Sequence, residues 1–254
     1  MDGLRAAAKR NLTSGQYRAL RQRWRGASRR IIAVRARRKS DLDALARYYG
    51  TDKSSQHHGY TAFYHRHFRK RRAAVRSVLE IGVGGTRSWE GFETKAGGQS
   101  LRMWSDYFPN AEIVGVDINE KSVRGTRIHF ERGDQSDRGF LRELTQEYGP
   151  FDVVIDDGSH IGSHIRSSFD ALWDSVKPGG MYVVEDLHVA YHPGYGGGPP
   201  GTPGTAAELI KAQIDNTIRR HEETVGVVSF EPPVIAIHLY PEIVFFEKAQ
   251  ASAS

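Results

Sequence analysis

Residues 151–160 join an apolar strand pattern to a cluster of acid–base side chains. The run Phe-Asp-Val-Val-Ile leads directly into Asp156 and Asp157, and Gly-Ser-His follows with His160 at its end. Open α/β sheets bind their ligands at the carboxyl ends of their strands. Carboxylates suit hard divalent cations, and a neutral imidazole is a good base near pH 7. The segment therefore predicts metal-assisted removal of a proton from a substrate.

A second motif, Val-Leu-Glu-Ile-Gly-Val-Gly-Gly-Thr at 78–86, ends a strand pattern in a glycine-rich turn. Gly82 and Gly84 have no side chain, which lets a ligand approach the backbone closely. No phosphate-binding lysine of the P-loop kind accompanies these glycines. Glu80, inside the motif, argues against a pyrophosphate ligand and for a cationic one.

Polar residues also follow the next two strand patterns. Asp117 closes the second strand in Val-Gly-Val-Asp-Ile-Asn, and an acid at this position suits the two hydroxyls of a ribose. Asp134 and Gln135 follow the third strand, where the amino group of an adenine can be read. These positions are typical of a site that binds a nucleoside.

Strand and helix patterns alternate along the part of the chain that must position these residues. Strands are predicted at 77–81, 113–116, 127–131, 152–155, 181–184, 234–240 and 243–247, and helices at 99–108, 137–148, 162–176 and 205–222. The last two strands form a tight hairpin, so one strand should run antiparallel to the others. The pattern predicts an α/β fold, a Rossmann-like sheet of seven mostly parallel strands with helices on both faces. A turn is expected at 177–180, and a mobile, lid-like loop at 190–205.

Four regions are expected along the chain. Residues 1–40 form a basic helical leader, and residues 41–74 a helical cap segment with helices at 41–49 and 63–74. Residues 75–248 form the α/β domain, and residues 249–254 a disordered tail. The segment 50–64 is polar and rich in His and Tyr, which is more typical of a pocket wall than of a core.

Charge and composition limit the function classes. The leader contains 13 Lys or Arg residues and one acidic residue. The net charge of the whole chain is +6, but residues 41–254 alone have a net charge of −6. A basic arm can bind nucleic acid, anionic lipid or an acidic partner. An exposed or oligomer-packing helix is the favoured interpretation, because no RNA-binding signature accompanies the basic residues. The chain has no cysteine, which excludes disulfides and thiolate chemistry. It shows no membrane span or signal peptide, and we expect a cytoplasmic protein.

The motifs resemble a known enzyme class. The Glu-x-Gly-x-Gly turn at 80–84, Asp117 and the Gly-Asp at 133–134 are similar to those of class I S-adenosylmethionine-dependent methyltransferases. Three further motifs are Gly-Thr-Asp-Lys at 50–53, Ile-Asp-Asp-Gly-Ser-His at 155–160 and Val-Glu-Asp-Leu-His at 184–188. These resemble the metal-dependent sugar O-methyltransferases of macrolide and calicheamicin-type glycoside pathways.

The resemblance implies two cofactors, S-adenosylmethionine and Mg²⁺, and a sugar hydroxyl of a natural product, glycan or glycolipid as methyl acceptor. It implies that Asp157, Glu185 and Asp186 hold the metal and that His160 is the general base. Tyr60 is expected near the methyl donor, Asp156 supports the site, and acceptor selection is expected from 50–64 and 188–205. The other residues expected at the donor site are Glu80, Gly82, Gly84, Asp117, Asp134 and Gln135.

Two alternatives stay open at this point. A catechol-type or other small-molecule O-methyltransferase uses the same metal chemistry. A nucleic-acid-binding protein with a methyltransferase-like scaffold, or an RNA methyltransferase, would use the basic leader instead. RNA base methylation needs no such carboxylate cluster, which disfavours a nucleic-acid partner. The related enzymes are usually oligomers, so a homo-oligomer is expected.

Overall fold

The computed structural model describes Gln16 and residues 41–84, 97–218 and 234–250. Seven strands in these ranges form one sheet in the order β3-β2-β1-β4-β5-β7-β6. They are β1 (Ser77–Ile81), β2 (Glu112–Asp117), β3 (Ile128–Arg132), β4 (Phe151–Asp156), β5 (Val176–Val184), β6 (Val234–Tyr240) and β7 (Ile243–Lys248). Neighbouring strands are parallel except in the two pairs that include β7. The predicted mostly parallel sheet with one antiparallel strand is confirmed.

Helices pack on both faces of the sheet, as predicted. The face that we call the cap face carries α1 (Leu42–Tyr49), α2 (Thr61–Phe68) and α3 (Gln99–Tyr107). The opposite face carries α4 (Arg138–Tyr148), α5 (Gly162–Leu172) and α6 (Ala206–Ile218). Because both faces are covered, the central strands are apolar along most of their length. Trp104 and Trp173 are fully buried packing residues, one in each of the two cores.

The ends of the helices follow local sequence signals. The carboxylate of Asp41 accepts a hydrogen bond of 2.9 Å from the amide of Ala44 and so caps the start of α1. The same helix ends at Gly50, whose φ of 75° suits a residue without a Cβ. The predicted helix at 41–49 is therefore confirmed.

Three predicted element boundaries differ from the structure. The expected turn at 177–180 lies inside β5, where an irregularity interrupts the register with β4. The second helix covers Thr61–Phe68 instead of 63–74, and the helix predicted at 162–176 ends at Leu172 in a short 3-10 turn. Such ends are set by packing that sequence patterns do not show.

The segment 50–64 contributes more to the core than expected. Tyr60 and Tyr64 are buried with Phe68 against the cap face of the sheet, and Lys53 is buried with them. The polar composition was misleading because the hydroxyl and ammonium groups of these side chains find buried partners, described below. Apart from Gln16, the predicted leader 1–40 lies outside the described residues, as do 251–254 of the predicted tail. Residues 219–222 at the end of the last predicted helix also lie outside them.

The strand order creates a crevice at one end of the sheet. The chain passes from β1 to β2 and β3 on one side and then crosses to β4 and β5 on the other. The carboxyl ends of β1 and β4 are thus neighbours at a topological switch point, where α/β sheets of this type bind their ligands. No helix in the described ranges is long and apolar enough to cross a membrane.

Candidate active site

Asp156 and Asp157 point to opposite faces of the sheet because side chains alternate along an extended strand. Asp156 is buried on the face of α5, where it accepts hydrogen bonds from the hydroxyls of Ser168 (2.5 Å) and Tyr182 (3.2 Å). The Gln135 amide also donates to it, at 3.1 Å. Asp157 reaches the cap face instead. Asp156 therefore supports the end of β4, and Asp157 faces the candidate site.

Three carboxylates on the cap face surround one lysine. Glu80 lies in β1, and Asp157 and Glu185 directly follow β4 and β5, which are adjacent strands. The ammonium of Lys53, whose side chain is only 1% exposed, donates closely to Asp157 and lies 2.7 Å from Glu185 Oε2 and 3.4 Å from Glu80 Oε1. Tyr64 donates from the other side to Glu185 Oε1, at 2.5 Å. The loop between α1 and α2 thus supplies the cation that joins three strands.

Acidic groups outnumber cations in this cluster. Burial would lower the pKa of Lys53, but the carboxylates of Asp157 and Glu185 raise it well above its usual value. Burial raises the pKa of Glu185 well above its usual range, although Lys53 opposes the change. Burial likewise raises the pKa of Glu80 to about 7. A further cation nearby would favour the charged forms of these buried acids.

A second group of ligand atoms lies at the mouth of this cluster. One ligand atom from each of Asp157, His160 and Asp186 lies within 4.8 Å of the others. His160 Nε2 is 3.4 Å from Asp186 Oδ2, and the Tyr60 hydroxyl donates to Asp186 Oδ1 at 2.6 Å. Tyr60 therefore orients Asp186.

The donor set fits a divalent cation. Mg²⁺ prefers oxygen ligands and keeps positions open for water or substrate oxygens. Asp157 and Asp186 offer partly exposed carboxylates beside the buried negative charge. His160 lies beside Asp186, with its Nε2 atom 3.4 Å from Asp186 Oδ2. Glu185, predicted as a third ligand, has Lys53 and Tyr64 as partners in this structure, so its metal role stays a prediction.

The glycine-rich turn contacts the end of β4. Gly82 has a φ of 85°, and a Cβ there would lie 1.9 Å from the carbonyl oxygen of Asp157. The amide of Val83 donates to Asp117 Oδ2 at 3.1 Å, which holds the predicted ribose-binding acid at the crevice. Gly84 also has a positive φ, of 67°. Residues 85–96, which continue this turn, lie outside the described ranges.

Other residues predicted to bind the donor have protein partners. Glu80 is fully buried and accepts a 2.7 Å hydrogen bond from Ser100. Gln135 donates to Asp156 and accepts from the amide of Ser159 at 2.6 Å, so both ends of its amide are engaged. Asp134 Oδ1 accepts from Ser136. Direct contact of these residues with a donor molecule therefore stays a prediction.

Comparison with known proteins gives close relatives. No protein-family model matches the sequence. Mycinamicin VI 2''-O-methyltransferase of Micromonospora griseorubida is 43% identical over 228 residues, which is 87% of this chain and 55% of that protein. Demethylmacrocin O-methyltransferase of Streptomyces fradiae is 43% identical over 230 residues, 87% of this chain and 56% of that protein.

Solved structures agree with the sequence relatives. A MycE methyltransferase in complex with Mg, S-adenosylhomocysteine (SAH) and mycinamycin VI superposes with a TM-score of 0.75 at 43% identity. The match covers 83% of this chain and 54% of that one. In sequence and in fold the chain is similar to these methyltransferases. The chain spans about half the length of the curated relatives it matches.

Sequence reasoning missed several residues of the site. Lys53 was part of a recognised motif, Gly-Thr-Asp-Lys, but had no role assigned to it. Tyr64 and Ser168 had no signal, because their acceptors Glu185 and Asp156 are distant in sequence. Glu242 lies in the turn after β6 and was not singled out.

Proposed function

We propose that this protein transfers a methyl group from S-adenosylmethionine to a sugar hydroxyl of a glycosylated natural product, with Mg²⁺ as its metal. The observation that carries the proposal is the joint placement of Asp157, His160 and Asp186 at the ends of adjacent strands. Support for the acceptor class comes from relatives that are named as sugar O-methyltransferases.

The residues of the chain divide the work. When bound, the metal would polarise the acceptor hydroxyl. The hydroxyl oxygen would form a bond to the methyl carbon as the C–S bond of the donor breaks, which leaves S-adenosylhomocysteine. His160 Nε2 accepts the hydroxyl proton, and the Asp186 carboxylate, 3.4 Å away, stabilises the resulting imidazolium. Tyr60 orients Asp186 through its 2.6 Å hydrogen bond. Asp157 and Asp186 would hold the metal, with Lys53 fixing Asp157 from behind.

Asp117 would bind the ribose hydroxyls of the donor. Its carboxylate is held by the amides of Val83 and Asn119, at 3.1 and 2.9 Å, and its side chain is 11% exposed. Because its position is already fixed, this carboxylate would bind a ribose with little further loss of side-chain entropy. The glycines of the turn after β1 leave room for the donor beside the backbone.

The test is a methyl-transfer assay on the full chain with three acceptors: mycinamicin VI, demethylmacrocin and a rhamnosyl tetracenomycin. We expect S-adenosylmethionine-dependent methylation of at least one glycoside, lost in excess chelator and restored by added Mg²⁺. Full turnover in excess chelator would refute the proposed requirement for a metal. If the protein methylates a catechol but none of the glycosides, the catechol-type alternative is favoured instead.

A further inference from the structure

Glu242 has an unusual backbone conformation. In the described ranges, three residues other than glycine have a positive φ: His160 at 59°, Asp186 at 58° and Glu242 at 66°. This conformation is unfavourable for a residue with a Cβ, and it is concentrated at functional sites. His160 and Asp186 belong to the proposed metal and proton-transfer site. The proposed function gives Glu242 no role.

The turn that contains Glu242 favours a different residue. Pro241 and Glu242 form the two-residue connection between β6 and β7, since Tyr240 pairs with Ile243. A tight turn with proline first and a positive φ second favours glycine or asparagine at the second position. Glutamate therefore costs stability in this turn.

The Glu242 carboxylate points into a cleft of about 680 Å³ next to the proposed metal site. Its Oε2 atom lies 3.5 Å from His58 Nδ1 and 3.9 Å from His188 Nδ1. His58 Nδ1 is also 3.8 Å from Asp186 Oδ1. The cleft therefore leads directly to Asp186, a proposed metal ligand.

Rings form one wall of this cleft. The His58 ring stacks on Tyr60, with centroids 5.1 Å apart, and on His188 at 6.2 Å. The backbone of the turn is tied to the same region, since the amide of Leu187 donates to the Glu242 carbonyl at 2.8 Å. Flat rings beside a carboxylate suit a sugar, which offers C–H groups to the rings and hydroxyl donors to the carboxylate.

We infer that Glu242 determines acceptor specificity by accepting a hydrogen bond from a sugar hydroxyl that is not itself methylated. The inference rests on the proposed function. The described residues that line the cleft include no lysine or arginine. With Asp186 and Glu242 both acidic, the cleft disfavours acceptors that carry a carboxylate, sulfate or phosphate.

The experiment compares Glu242→Gly and Glu242→Gln with a control, Glu247→Gln. Glu247 lies in β7 and pairs with His238, at 3.4 Å, outside the lining of the cleft. The readouts are KM and kcat for the best acceptor of the panel above, SAH affinity by calorimetry, and the melting temperature. We also measure binding of methyl α-L-rhamnopyranoside by NMR in the presence of SAH and Mg²⁺.

In Glu242→Gly we expect the acceptor KM to rise about tenfold or more, because a hydrogen bond to a charged acceptor is lost. SAH affinity should be unchanged, kcat nearly so, and the melting temperature equal to or above that of the wild type, because glycine relieves the turn. Glu242→Gln should show a smaller rise in KM, and Glu247→Gln none.

Other outcomes overturn the inference in distinguishable ways. An unchanged acceptor KM in Glu242→Gly refutes the inference and leaves the proposed function standing. A lower melting temperature together with lower kcat shows a merely structural role. If the wild type neither methylates any glycoside of the panel nor binds the rhamnoside, both the inference and the proposed function fall.

Discussion

At the scale of single residues, two neighbouring aspartates have different environments and therefore different uses. Asp156 is buried with three hydroxyl or amide donors, and burial raises its pKa despite them. Asp157 is partly exposed, and it lies beside His160 and Asp186. The two side chains lie on opposite faces of the sheet because side chains alternate along a strand. Substituting Asp156 should therefore not have the same effect as substituting Asp157.

His160→Ala should lower kcat by about 10²–10⁴-fold, the usual contribution of a general base. SAH binding should persist, because Asp117 and the glycine-rich turn are untouched. Steady-state kinetics with the best glycoside and calorimetry with SAH test this. His164→Ala is the control, since His164 contacts Ser159 at 3.0 Å instead of Asp186. A loss of SAH binding in His160→Ala would show that the residue is structural.

Gly82→Ala should lower the free energy of unfolding by about 2–4 kcal/mol, in the range of changes that force strain into a packed site. The added Cβ would lie 1.9 Å from the Asp157 carbonyl oxygen, at a φ of 85°. Urea denaturation measures the change. Gly84→Ala, at a φ of 67° and with no atom of the described residues within 4 Å of the added Cβ, should lose only about 1 kcal/mol. Equal losses in the two variants would contradict the predicted clash.

At the scale of elements, the segment from α1 to α2 completes the site as well as packing on the sheet. It contributes Lys53, Tyr60 and Tyr64, which contact Asp157, Asp186 and Glu185 respectively. The ends of β4 and β5 carry acids that need these partners. Packing of this segment and pairing of the acidic cluster therefore depend on the same three side chains.

Lys53→Met should cost about 3–5 kcal/mol of stability at pH 7.5, because removing one partner of a buried ionic group leaves the other partners uncompensated. Chemical denaturation tests the loss. Lys177→Met is the matched control, because Lys177 pairs with Asp152 at 3.0 Å but is 31% exposed; its loss should stay under about 1 kcal/mol. Similar losses in the two variants would mean that the buried cluster adds little to stability.

Packing of α2 against the β6–β7 hairpin should depend on pH through His67. Burial lowers the pKa of His67 to about 4, helped by repulsion from His238. The folded-state pKa thus lies below the unfolded value of about 6.5. The unfolded chain then binds more protons between these values, so stability present above about pH 6.5 is lost as the pH falls toward 4.

The measurement compares wild type with His67→Phe, which keeps a ring against Phe245, the stacking partner at 4.4 Å. Between pH 7 and 5, the wild type should lose about 1–2 kcal/mol more than the variant, allowing for the partial exposure of the ring. Urea midpoints at the two pH values give the difference. Identical pH dependence of the two proteins would refute the assignment to His67.

At the scale of the whole molecule, the donor and acceptor regions share one crevice. The switch point between β1 and β4 brings Gly82 against Asp157, and the cleft beside Asp186 opens on the same edge of the sheet. The proposed methyl donor and acceptor would therefore meet where β1, β4 and β5 end. The predicted homo-oligomer and cytoplasmic location remain predictions.

SAH at about 100 times its dissociation constant should raise the melting temperature by about 5–10 °C, from the mass-action stabilisation expected for a domain of this size. Thermal shift measurements test this on the full chain. Asp117→Ala should lose most of this shift, measured against its own melting temperature without SAH. If SAH raises the melting temperature of Asp117→Ala as much as that of the wild type, Asp117 does not bind the donor.

Much of the fold could be predicted because apolar periodicity is a local property. The strand at 77–81 and the mostly parallel sheet with its antiparallel β7 are as predicted. Element ends were less predictable, since β5 passes through Lys177–Gly180 with an irregular register that only its neighbour β4 reveals. Polar composition also misled at 50–64, where Tyr60 and Tyr64 are core residues.

The sequence motifs predicted which residue types are present at the site. They also predicted the chemistry that these residue types can perform. Carboxylates, an imidazole and a glycine-rich turn after successive strands are short-range features of the chain. Only the tertiary structure shows which residues contact each other. Lys53 contacts Glu185, and Glu242 contacts His58, although these pairs are far apart in the sequence. Local pattern determines which groups are present at the sheet edge, whereas charge and packing between distant segments determine what each group faces.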